Sequence, residues 1–143
     1  MNRDVLEEML ADHKRYVLSG GGKEGDKLSL PNENLSNMDF SGMDLSGASF
    51  TSADLSWADF RGANLTDVNF YCANLTGANL SDTNLTGAQL SSANFTGAKL
   101  PPSIRHCWNF HHAAFPADAL PWLILHPKWG DNKDTVRIVG EAS

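Results

Sequence analysis

Five histidines and two cysteines are the residues most able to bind a metal, and His106, Cys107, His111 and His112 fall close together, with His126 further on. A zinc site needs three or four such ligands to converge at a fixed spacing, and this spacing matches no common zinc pattern. The cluster therefore reads as packing in a terminal cap with histidines at the surface, and no metal or other cofactor is expected. Residues 19–26, SGGGKEGD, have the glycines and lysine of a phosphate loop, but no Ser or Thr follows Lys23 and no strand precedes it. They predict a flexible linker. No nucleophile stands with a base and an orienting partner, and the carboxylates are spread along the chain rather than paired. The chain is not expected to be an enzyme.

The carboxylates offer a different chemistry. Between residues 33 and 98 lie seven acids, Glu33, Asp39, Asp44, Asp54, Asp59, Asp67 and Asp82, against one base, Arg61. That imbalance equals the whole net charge of −6, so the flanks cancel. A pI near 5.2 argues against direct nucleic-acid binding, which needs Lys and Arg to neutralise phosphate. The same field suits a basic groove on another protein. At 143 residues the chain has the size of one domain. Its N-terminus, MNRDVLEEML, lacks the apolar stretch of a signal peptide, and the longest apolar run, Trp122 to Leu125, is far too short to cross a bilayer. A cytoplasmic, reduced protein without membrane association is expected.

What positions the acids is a period of five. Leu35, Phe40, Leu45, Phe50, Leu55, Phe60, Leu65, Phe70, Leu75, Leu80, Leu85, Leu90, Phe95 and Leu100 are fourteen consecutive Leu or Phe at that spacing. Two residues before each from Phe40 onward stands a second series, mostly small and mostly Ala, with Met38, Met43, Val68 and Thr83 as variants. Two residues after come Gly42, Gly47, Gly62, Gly77, Gly87 and Gly97, joined by Asn37, Asp67 and Asp82, residue types that tolerate positive φ. A helix repeats at 3.6 and a strand at 2, so neither fits. A unit this short with its own turn must stack on copies of itself into a solenoid.

The A(D/N)LXX units, as in ADLSW, ANLTD, ANLTG and ANFTG, resemble the pentapeptide-repeat family over roughly residues 30–100. The resemblance implies an all-β solenoid, a right-handed quadrilateral β-helix with one pentapeptide per face and four per coil. In that geometry the Leu or Phe and the small residue before it point inward. Residues twenty apart then stack, Phe40 on Phe60 and Phe50 on Phe70, giving Phe ladders on two opposite faces. About three and a half coils at ~4.8 Å each make a rod roughly 17 Å long. Three segments are expected: residues 1–22 as an N-terminal amphipathic helix and Gly-rich linker, 23–100 as the β-helix, and 101–143 as degenerate repeat and C-terminal cap. The helix is predicted over 4–18 with Asp4 as N-cap, Glu7 completing its capping box, and Val5, Leu6, Met9, Leu10 and Val17 on one side. In the last segment Pro101 and Pro102 break the pattern, while Phe110, Phe115 and Leu120 return to the register. Trp122, Leu123 and Leu125 are expected to be buried against the last coil or a second copy, as a cap and a homodimer face, and TVRIV reads as a short strand.

The family that this chain resembles includes proteins that mimic the shape and charge of duplex DNA and bind DNA gyrase or protect it from inhibitors. The resemblance thus implies a non-enzymatic, acidic, partial DNA mimic whose partner has a basic groove: DNA gyrase or topoisomerase, or a defence nuclease as for anti-restriction and anti-CRISPR proteins. The expected partner-binding residues are Asp39, Asp44, Asp54, Asp59, Asp67 and Asp82, with Trp57, an aromatic at an outward turn position. Seven acids along the rod give about one charge per 2.4 Å, sparser than the ~1.7 Å of duplex DNA, so the mimicry is partial. The alternative is a scaffold that binds through its uncharged face, the one carrying Phe50, Phe70 and Leu90, and through its apolar C-terminus.

Overall fold

The computed structural model describes residues 1–126, 129–132 and 135–140. Residues 127, 128, 133, 134 and 141–143 of the predicted C-terminal segment lie outside this range.

One device, repeated, turns the period of five into structure. In each unit one extended residue pairs in parallel with the residue twenty positions later, as Asp39 does with Asp59, Asn64 with Asn84 and Asn74 with Asn94. Backbone bonds run between coils at those steps, from Phe60 N–H to Asn79 O at 2.8 Å and from Leu65 N–H to Asn84 O at 2.9 Å. Two residues after each Leu or Phe from Leu35 to Phe95 the chain turns at positive φ, 68° at Gly42, 55° at Asp67 and 59° at Asp82. Trp57 is held there too, at 62°, a strained state for a bulky side chain that the stack above and below imposes. Four such turns in each twenty residues close a square coil, and the chain is a quadrilateral β-helix.

The side chains from Leu35 to Phe95 in the Leu/Phe series are at most 1% exposed, and the alanines two residues before them fill the gaps between. Phe40 and Phe60 stack with ring centroids 5.1 Å apart, as do Phe50 and Phe70 at 5.6 Å. The two ladders meet edge to face across the core, 5.8 Å between Phe40 and Phe50 and 5.9 Å between Phe60 and Phe70. Each such pair adds about 0.5–1.5 kcal/mol beyond the area it buries. Thr83 takes an alanine position without stranding its hydroxyl, which donates to the Leu80 carbonyl at 2.8 Å.

At the N-terminal end the helix α1, Arg3–Leu18, lies against the first coil, which begins at Leu28 and Leu30. Its N-cap is Asn2, whose side chain accepts the Asp4 N–H at 2.9 Å, so Asp4 is not the cap. Glu7 takes the Arg3 guanidinium at 3.0 Å instead of reaching back to close a capping box. Leu6 is buried and Met9 and Leu10 partly so, whereas Val5 faces solvent at 47% exposure. The residue that the apolar pattern hid is His13, fully buried, whose Nδ1 accepts the Leu28 N–H at 3.0 Å.

Beyond Leu100 the coil continues. Pro101 and Pro102 replace one face with a 3-10 helix, Pro102–His106, in which Ile104 fills the core. Ser103 Oγ stands in for the missing backbone, accepting the Leu85 N–H at 3.2 Å and donating to the Thr83 carbonyl at 2.8 Å. Pairing then resumes, Gln89 with Asn109 and Asn94 with Ala114, and Phe115 stacks on Phe95 at 5.2 Å. Phe110 and Phe115 are thus degenerate repeat, but Leu120 is not. It opens a single-turn helix, α2, Leu120–Leu123, and is 38% exposed. The strand β1, Ala114–Pro116, takes a last parallel neighbour, β2, Arg137–Val139, which covers that edge. A further short helix, α3, Trp129–Asn132, lies between α2 and β2 in sequence.

Candidate partner-binding surface

The acids sit where the repeat needs an oxygen. The Ser41 N–H and hydroxyl donate to Asp39 Oδ1 at 2.9 and 2.6 Å. The same carboxylate position accepts the Ser46 N–H at Asp44, the Ser56 N–H at Asp54 and the Arg61 N–H at Asp59, each at 3.0 Å. Each acid therefore caps its own turn as an Asx motif. Asn does the same elsewhere: Asn64, Asn74, Asn79 and Asn94 accept N–H groups two residues on, and their neighbours' hydroxyls too. The signal was present in sequence, since Asn or Asp stands two residues before a Ser or Thr in unit after unit.

Between coils the columns diverge. Asn64 Nδ2 donates to Asp44 Oδ1 and Asn74 Nδ2 to Asp54 Oδ1, both at 3.2 Å, so each of these acids is backed by an amide on the next coil. Asp39 is stacked directly on Asp59, and this like-charge contact is relieved by Arg61, whose guanidinium grips Asp59 at 2.6–3.0 Å. Asp59 is thus locally neutralised, leaving Asp39, Asp44 and Asp54 as the turn-capping aspartates of the first two coils that form no ion pair among the described residues. Asp67 and Asp82 are different in kind. They occupy the positive-φ corners, exposed, with Asp67 Oδ1 lying over Gly87 where any Cβ would collide with it. The predicted acids are accordingly distributed around the rod rather than gathered into one strip. The uncharged face carries Ser49, Asn69, Gln89 and Asn109 in one column.

Trp57 is 66% exposed. Its ring lies against Gly77 one coil further on, where an added Cβ would come within 2.5 Å of the ring carbons, so the glycine makes room for the indole. An exposed aromatic thus stands one coil from Asn37 and three residues from Asp54.

Hydrogen bonding sets the protonation of the acids. Bonds from Ser41, Ser56 and Arg61 hold Asp39, Asp54 and Asp59 below the usual carboxylate range. For Asp44 burial pushes the value up, but bonds from Ser46 and Asn64 outweigh it and the net direction is down. A carboxyl held low in the fold binds its proton more weakly than in the unfolded chain. Its contribution is complete above the ordinary value of 3.8 and is lost as pH falls through the folded values. Thermal melting of the rod is therefore expected to weaken below about pH 4, and the drop to shrink in Asp→Asn variants.

The terminal histidines and apolar residues are arranged partly as expected, with His106 and His112 exposed at the surface. Trp122 is half-buried and Leu123 fully buried, but Leu125 is 61% exposed and Ile124 53%, because a helix of one turn aims only Leu123 at the 3-10 helix and last coil. His126 is buried rather than at the surface, its Nε2 hydrogen-bonded to the Cys107 carbonyl at 2.8 Å. Burial pushes the Cys107 thiol up to about 12. Among the described residues no three His, Cys, Asp or Glu converge on a point that could hold a metal, and no helix is long and apolar enough to cross a membrane.

The sequence model described as pentapeptide repeats matches residues 34–67 and 68–101, with 8 copies. Among solved structures, a pentapeptide repeat protein from the Arabidopsis thaliana thylakoid lumen is 37% identical over 68% of this chain and 63% of its own, with a TM-score of 0.51. The chain thus spans less than two thirds of that protein's length. The pentapeptide repeat protein Rfr23 from the cyanobacterium Cyanothece 51142 is 30% identical over 67% of this chain and 69% of its own, with a TM-score of 0.29. QnrB1, a plasmid-mediated fluoroquinolone resistance protein, is 19% identical over 64% of this chain and 76% of its own, with a TM-score of 0.39. No curated protein matches the sequence. With its repeats matched in sequence and stacked coil on coil in space, the chain belongs to the pentapeptide-repeat family.

Proposed function

We propose that this chain is a non-enzymatic protein-binding module, and that the acidic N-terminal half of its rod acts as a partial DNA mimic in the basic groove of a DNA-handling enzyme. DNA gyrase or topoisomerase and defence nucleases are the partner classes. One observation carries the reading: the turn requires an Asx oxygen, not a charge. Asn34, Asn64, Asn74, Asn79, Asn84 and Asn94 accept the same N–H two residues on that Asp39, Asp44, Asp54 and Asp59 accept. The four aspartates are confined to the first two coils, where Asn would serve the fold equally. The charge of Asp39, Asp44 and Asp54 is available to a partner, since Arg61 neutralises only Asp59, and Trp57 supplies an exposed aromatic beside it, the composition of an interface anchor with a charged rim.

Affinity capture from a lysate of the native host, at low and high salt, tests this. A DNA-handling enzyme should be retained at low ionic strength and released at high, because the attraction between exposed charges is screened. A supercoiling assay on the captured enzyme then reads inhibition or protection. Retention that ignores salt would instead favour the scaffold reading, for which Ile124 and Leu125 are the supporting observation. On that reading the exposed C-terminal residues hold a second copy or another protein. Leu125→Glu should then lower the sedimenting mass without loss of stability, whereas Leu123→Glu, at a fully buried position, should lower stability itself.

A further inference from the structure

We propose that His13 is an acid-sensitive staple, whose protonation releases α1 and uncovers the N-terminal end of the rod. The helix α1 is tied to the first coil by one buried histidine. His13 Nδ1 accepts the Leu28 N–H at 3.0 Å. A ring nitrogen that accepts carries no hydrogen, so the imidazole is neutral with its hydrogen on Nε2. That Nε2 is buried without a partner. A proton added at Nδ1 removes the acceptor, strands the Leu28 N–H and places a cation inside the cap.

The charges facing His13 come from three elements. Tyr16 on α1 stacks on its ring at 5.8 Å, Lys27 approaches from the linker, and Asp44 faces it from the coil. Burial is the largest influence and Lys27 adds to it, while Asp44 opposes both; the net direction is below the ordinary 6.5. A histidine held low in the fold binds its proton more weakly than when α1 is released. Docking of α1 is therefore complete above 6.5 and weakens as pH falls through that value, until the docked value is reached. Once α1 leaves, Leu6, Met9 and Leu10 no longer cover the first coil, whose Leu28, Leu30 and Leu35 have no coil before them. Asp12 is a second tether, accepting the Asp26 N–H at 3.0 Å and gripping Arg15, and its carboxyl is held below the usual range by that arginine, so it remains charged where His13 titrates.

Amide hydrogen exchange of the intact chain between pH 7 and pH 5 tests the proposal, each rate expressed relative to the unstructured amide. Protection of Leu28 and α1 should fall by up to about tenfold per pH unit below 6.5, while Leu65 and Phe70 keep theirs. His13→Gln retains an oxygen acceptor for Leu28 but has no titration, and its profile should be flat. Should that variant fail to dock α1 at pH 7, the His13 ring proton shift in the wild type decides, since it should titrate together with the loss of Leu28 protection. Constant α1 protection down to pH 5, an equal loss in a docked His13→Gln, or an equal fall in protection at Leu65 and Phe70 would overturn the proposal.

Discussion

Leu65→Asp is expected to leave no cooperative melting transition, and Leu65→Ala to cost on the order of 2 to 5 kcal/mol. Leu65 is fully buried in mid-rod, and its N–H is bonded to Asn84 of the next coil. A carboxylate there would be unpaired inside a stack that has no slack, because each coil is locked to the next at every fifth residue. The rod is also quasi-one-dimensional, so a broken coil in the middle separates two pieces that each lack a cap. Melting of Leu65→Asp at the wild-type temperature would mean that the Leu/Phe series does not carry the core.

The second large effect concerns binding. Asp39→Asn, Asp44→Asn and Asp54→Asn together should slow association with the partner by about tenfold at low salt and flatten its salt dependence, because exposed charge governs encounter. Trp57→Ala should instead speed dissociation, at about 2 kcal/mol or roughly thirtyfold, the scale of an aromatic anchor. Asp59 is left out of the set because Arg61 already neutralises it. Surface plasmon resonance separates the two rates, and a Trp57→Ala variant that dissociates at the wild-type rate would remove the indole from the interface.

The coils were legible because the period of five is enforced at every level. The same residues that fill the core also set where the chain turns, so sequence spacing translates directly into coil geometry. The Phe ladders and the corner at Trp57 follow from that register alone. The ends were less legible because there the period lapses and single contacts decide. Asn2 rather than Asp4 caps α1, since the cap is whichever oxygen meets the first free N–H groups. His13 lies in a helix of mixed composition, and nothing in its spacing reveals a bond to Leu28 fifteen residues on. Leu120 keeps the register of five by coincidence, while the chain around it has become helical. For the candidate surface, the positions of the acids around the rod could be derived, but the Arg61 pairing and the shared Asx role of Asp and Asn required side-chain geometry.

Thermal melting and partner capture, measured side by side for the wild type and the Asp39→Asn, Asp44→Asn, Asp54→Asn variant, test the central claim most directly. Melting should coincide to within about 1 kcal/mol, because each Asn keeps the bond to its turn, while capture of the DNA-handling enzyme from host lysate at low salt is lost. Full capture by the variant, or a melting loss as large as its loss of binding, would contradict the claim that the rod's acid serves a partner rather than the fold.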